Sequence, residues 1–236
     1  MTGTVLPNEA DAVLRSIFED FNRGADFFSD IADEDVADSG LEEDIAEFEA
    51  AGLMESDTEK ALYLTFHLTL NFNRNSDRLN NQMRSFRREE PWIFEPATVI
   101  ESERYQDLRD LFKGKGKYEG HPTTEAHGTT RWGKTDADYW YTVASTLHDE
   151  YNNDPLVLFD RFDDDAGQIS EHIKTARSDN PAHDEITTTK RFPGLGGEKV
   201  APLWLRAIHD IVRPLESTVA LPFPVDVHTA VLNSGL

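Results

Sequence analysis

At 236 residues the chain is long enough to bury a substantial core, as one large domain or two small ones. It has no cysteine, which excludes disulfides, thiolate metal sites and a cysteine nucleophile. Forty-five acidic side chains face twenty-three basic ones, a net charge of −22. Taken naively, that charge repels nucleic acid, but few lysines and many aspartates also fit a solvated acidic surface adapted to high salt.

The charge is uneven. Residues 1–60 carry eighteen acids and three bases, and 135–189 carry thirteen and three. Residues 61–134 carry ten acids and twelve bases, and 190–236 carry four and five. The last two stretches escaped acidification, either because they meet phosphate or because core-rich segments have less surface to acidify. The N-terminus, MTGTVLPNEADAVL, has neither a basic start nor an apolar h-region, and no apolar run reaches membrane-spanning length. The expectation is a soluble monomer in a high-salt cytoplasm, with no membrane contact.

Residues 8–23 read as a helix, with Ala12, Leu14, Ile17, Phe18 and Phe21 on one face and Asn8 as cap. LEEDIAEFEAAGL (41–53) predicts a second helix, stopped near Gly52. Residues 1–57 thus form an acidic N-terminal helical segment, and 58–236 the main helical domain. In 58–88, the strict alternation of Leu62, Leu64, Phe66, Leu68, Leu70 and Phe72 is a strand signal. The length of the run, and the helix spacing of Leu79, Met83 and Phe86, favour one long buried helix.

Residues 89–137 are punctuated by Pro and Gly around one short helix, 103–112; their KGKGK run reads as a mobile loop or a phosphate contact. Further helices are predicted over 136–152, near 155–161, and over 166–178. No pair of strands with turn chemistry stands out, so the fold class is mainly α. No histidines stand at metal-ligand spacing, and Asp163, Asp164 and Asp165 read as solvated surface, so neither metal nor cofactor is expected.

Two phrases near the C-terminus carry the chemistry. In FPGLGGEKVAPLWLR (192–206), Gly194, Gly196 and Gly197 allow a tight turn whose amides point outward, followed by a helix with Leu203, Leu205, Ile208 and Ile211 on its apolar face. A turn of this kind is an anion cradle suited to one phosphate, although glycine turns before helices are common. In PFPVDVHTAVL (222–232), prolines extend the backbone up to Asp226, where a helix would start; an N-cap aspartate is the simplest reading.

Together the phrases resemble the helix-hairpin-helix DNA glycosylase superfamily, whose pattern is Leu-Pro-Gly-x-Gly-x-Lys-x-Ala followed by Val-Asp-x-His. The separation of Lys199 from Asp226 is nearer the archaeal 8-oxoguanine glycosylase branch than the endonuclease III-like one. This hairpin holds one more residue than is usual in the family, and Lys199 keeps the family's spacing to Ala201, although Glu198 could occupy the lysine position. NFNRNSDRLNNQM (71–83) is similar to the Asn-rich helix junction that probes the duplex in the same superfamily.

The resemblance implies a two-lobed helical fold and duplex DNA with a damaged base as partner. It implies Lys199 as a partly desolvated nucleophile, Asp226 as the stabiliser of charge on the sugar, and Gly194, Gly196 and Gly197 as a phosphate grip. Asn71, Asn73 and Arg74 would fill the gap left by the flipped base. Phe192, Trp140 or Trp204 could stack on the extruded base, with core packing the competing fate of each. A non-catalytic DNA-binding or interaction module, and an N-glycosidase acting on free nucleosides or nucleotides, are the alternatives.

Overall fold

The computed structural model describes residues 40–71, 76–101 and 104–217. By backbone contacts the chain divides into two compact units, 1–43 and 44–236, and only residues 40–43 of the first are described. The predicted helix over 8–23, and the predicted site residues Asn73, Arg74 and Asp226, lie outside the described residues.

The protein is mainly helical. In chain order the described elements are α1 (Leu41–Ala50), α2 (Asp57–Leu70), α3 (Ser76–Glu89), α4 (Pro96–Val99), α5 (Arg104–Lys113), α6 (Pro122–His127), α7 (Lys134–Tyr151), α8 (Leu156–Arg161), α9 (Ala166–Thr175) and α10 (Val200–Ile211). Short 3-10 turns cover Pro91–Phe94 and Gly116–Tyr118. Among the described residues, extended pairing is limited to two isolated bridges, Asp165 with Glu216 and Arg177 with Lys190.

Helix α2 is the centre. Ser56 caps it: its hydroxyl accepts the Glu59 amide while the Glu59 carboxylate accepts the Ser56 amide. Every residue from Ala61 to Leu70 is buried, because α7 packs on one side of α2 and α10 on another. A helix buried all round has no need of a one-sided apolar stripe, which is why its leucines alternate as in a strand.

The apolar run is not one helix over 58–88. The first helix ends at Leu70, where Asn71 leaves helical geometry and its N–H turns back to Leu68 O at 3.0 Å. Asparagine side chains compete for backbone hydrogen bonds, so an Asn-rich stretch stops a helix without proline or glycine. The second helix, α3, is amphipathic and buries Leu79, Met83 and Phe86.

Aromatic rings fill the interior. Trp140 stacks on Phe66 with centroids 4.7 Å apart, and its indole N–H donates to Ile93 O at 2.7 Å. Trp204 lies against Phe159 at 5.2 Å and donates to Thr65 Oγ1 at 3.1 Å. Each buried indole thus has its polar handle satisfied.

Candidate functional site

The glycine-rich hairpin is anchored from below. Phe192, Pro193 and Leu195 are buried, and Gly196 N–H donates to Phe192 O at 2.9 Å. Gly194 has a left-handed backbone (φ +79), and a Cβ there would stand 2.2 Å from Thr69 O in α2. A Cβ on Gly196 would stand 2.5 Å from Ile173 O in α9. These two glycines are therefore required because backbone meets backbone. Gly197 differs: its virtual Cβ meets nothing nearer than 3.5 Å.

On the outer side of the turn, the N–H groups of Gly197, Glu198 and Lys199 make no hydrogen bond among the described residues. They stand at the N-terminal end of α10, where free amides and the helix dipole favour an anion. Lys199 is exposed and forms no ion pair among the described residues, and Glu198 beside it is also exposed. The lysine expected to be partly desolvated is thus open to water, because it precedes the buried face of α10 by one residue. That face is also rotated from the one expected: Trp204, Ala201, Leu205 and Ile208 are buried, while Leu203 and Ile211 are only half-buried.

The segment leading into the hairpin is not helical. After α9 ends at Thr175, residues 176–191 run without a helix, folded back by Ser178 N–H to Thr189 O at 2.8 Å and Arg191 N–H to Ala176 O at 3.2 Å. Against α7 this segment walls a cleft of about 260 Å³ whose lining includes Thr142, Ser145, Asp149, Ser178 and Lys190. No aromatic ring lines it, so it offers no platform for stacking a base.

The expected stacking rings go elsewhere. Phe192, Trp140 and Trp204 are enclosed in the core, at 1%, 0% and 0% exposure, and none has a face free for an extruded base. Their apolar area is already covered by Tyr151 and His172, by Phe66, and by Phe159, respectively. Asn71 is half-exposed at the C-terminal cap of α2, two residues beyond Thr69, so it shares a helix end with the hairpin's anchor.

One cluster of buried polar groups was missed. Asp44 on α1 is wholly buried; it accepts the Tyr63 hydroxyl at 2.8 Å and is paired with Arg84 of α3. Burial pushes the Asp44 carboxyl above the usual carboxylate range, against the pull of Tyr63 and Arg84. His67, one turn along α2 from Tyr63, is also buried, and its Nδ1 has no hydrogen-bond partner. Burial lowers its pKa from 6.5 to about 3, even though the Asn80 side chain favours the charged form. The available signal was position: Asp44 stands one helical turn before Phe48, on the face that Ile45 and Phe48 bury.

In comparison with known proteins, no family model, no curated protein and no solved structure matches the chain.

Proposed function

We propose that this chain is a DNA base-excision glycosylase of the helix-hairpin-helix kind, two-lobed, with the damaged base flipped into a pocket between the lobes. Lys199 Nζ attacks C1′ of the extruded nucleotide, the C1′–N bond breaks, and the base leaves with the electron pair and takes up a proton. The product is an aminal; as Nζ loses its proton the C1′–O4′ bond breaks, O4′ takes up a proton and the opened sugar becomes a Schiff base, from which β-elimination breaks the C3′–O bond and releases the strand. Asp226 stabilises the positive charge that develops on the sugar. Asn73, Arg74 and Asn71 enter the gap in the stack.

The observation that carries this reading is the hairpin: three amides and an exposed lysine that have no partner among the described residues, at the head of a twelve-residue helix, on a turn clamped to α2 and α9. Because Lys199 is exposed, its desolvation has to come from the bound DNA itself.

The test is covalent trapping. Duplexes carrying 8-oxoguanine, uracil or an abasic site are incubated with the protein in high salt and borohydride. An adduct with wild type that disappears in Lys199→Gln supports the reading, and no adduct and no base release on any lesion overturns it. The exposure of Lys199 favours a second reading, a non-catalytic duplex-binding module, in which Lys199→Gln binds DNA as wild type does and nothing is ever trapped.

A further inference from the structure

The segment before the hairpin places like charges opposite one another. Ser178 N–H to Thr189 O and Arg191 N–H to Ala176 O flank the antiparallel bridge between Arg177 and Lys190. That pattern makes Arg177 and Lys190 a non-hydrogen-bonded pair, the closer type, with Cα atoms about 4.5 Å apart and side chains on one face. Both residues are exposed, and neither has a carboxylate partner among the described residues. Like charges in this position are destabilising unless an anion lies between them.

A third cation adjoins the pair. Lys174, in the last turn of α9, also lacks an ion pair among the described residues, and the Arg177 guanidinium donates to its carbonyl at 3.0 Å. Ile173, immediately before it, is the residue against which Gly196 of the hairpin is pressed. Lys190 leads through Arg191 into the hairpin, which ends at the exposed Lys199. Several cations elsewhere are met by acids: Arg88 by Glu47, Lys60 by Glu49, Arg213 by Asp160 and Asp164.

We infer that Lys174, Arg177 and Lys190 form a phosphate track beside the hairpin, on which the backbone of duplex DNA lies while the hairpin amides hold a neighbouring phosphate. This extends the glycosylase reading and rests on it for the choice of DNA. The bridge positions the Arg177–Lys190 pair, and one phosphate between them relieves their repulsion.

The experiment measures duplex affinity against KCl, over the range in which circular dichroism shows the fold intact. It compares wild type with the triple variant Lys174→Gln, Arg177→Gln, Lys190→Gln. Each lost phosphate contact lowers the salt slope by about 0.9, so the triple variant should lose roughly two to three units of slope and about tenfold or more in affinity. Lys174→Arg with Lys190→Arg should keep the slope. Lys190→Gln alone should lower the slope by about one while melting at the same temperature as wild type or higher, a combination that damage to the fold does not produce.

An unchanged slope in the triple variant, with wild type binding and trapping DNA, overturns the track and leaves the glycosylase reading standing. A reduced slope with no adduct and no base release on any lesion keeps the track and overturns the glycosylase. No duplex binding by wild type overturns both. Tighter binding of structured RNA than of duplex DNA, with the same loss in the variant, overturns DNA as the partner.

Discussion

Two glycine–lysine turns invite comparison, Lys113–Lys117 and Phe192–Lys199. In the first, Gly114 and Gly116 take left-handed conformations (φ +58 and +57) and their neighbours are flexible side chains, Thr124 and Asp110. Lys117 reaches Asp107 at 2.7 Å, and the Lys113 stem packs over Gly133. In the second, Gly194 and Gly196 meet backbone carbonyls of distant helices, and Lys199 has no ion pair among the described residues. The same residue types tie down a loop in one place and present an amine in the other. What differs is what lies beneath the glycines.

The largest expected effect separates the two lysine sets by chemistry. Lys199→Gln should abolish borohydride trapping, whereas Lys115→Gln, an exposed residue of the first turn, should leave adduct yield at the wild-type level in the same gel assay. Loss of the adduct in both variants would dissolve the distinction.

Next come the glycines. Gly194→Ala combines a left-handed backbone with a 2.2 Å approach to Thr69 O, and should cost roughly 3 kcal/mol in urea unfolding. Gly116→Ala faces only the Asp110 side chain at 3.1 Å and should cost about 1 kcal/mol. Equal costs would mean that the hairpin is not clamped as described.

Helix α2, which supplies the Thr69 anchor, carries its own titration. His67 titrates near 6.5 when unfolded and at about 3 when folded, because burial disfavours the charged ring. Between those values the unfolded chain binds a proton that the folded chain does not. Stability is therefore complete above about pH 6.5 and falls as the pH drops, by about 2 kcal/mol from pH 7 to pH 5. His67→Gln should flatten that stretch of the stability–pH curve, and an unchanged slope would place the ring in water.

The smallest effect belongs to the first turn's ion pair. Lys117→Gln breaks an exposed contact with Asp107 and should shift stability by under about 1 kcal/mol, with less effect in high salt.

Much of the helical layout was legible. Gly52 does follow α1 in a left-handed conformation, and α5, α7, α8 and α9 fall close to where periodicity and caps placed them. The split between α2 and α3 was not legible, because Asn71 carries no proline-like veto on helix, and its capping geometry depends on local hydrogen bonding. In the candidate site, the turn and its lysine were readable from Gly194, Gly196 and Lys199. The open position of Lys199 and the enclosure of Trp140, Trp204 and Phe192 were not, since an aromatic has the same signature in a core as on a binding platform.

By itself the sequence determined the helical class, the absence of thiol chemistry and the distribution of charge, because composition and helix periodicity are local properties of the chain. Only the tertiary structure decided that Gly194 and Gly196 are pressed onto Thr69 and Ile173, that Asp44 and His67 lie inside, and that Arg177 stands across from Lys190. Those facts are contacts between separate segments. They depend on how helices pack and where the backbone doubles back, which no single stretch of residues encodes.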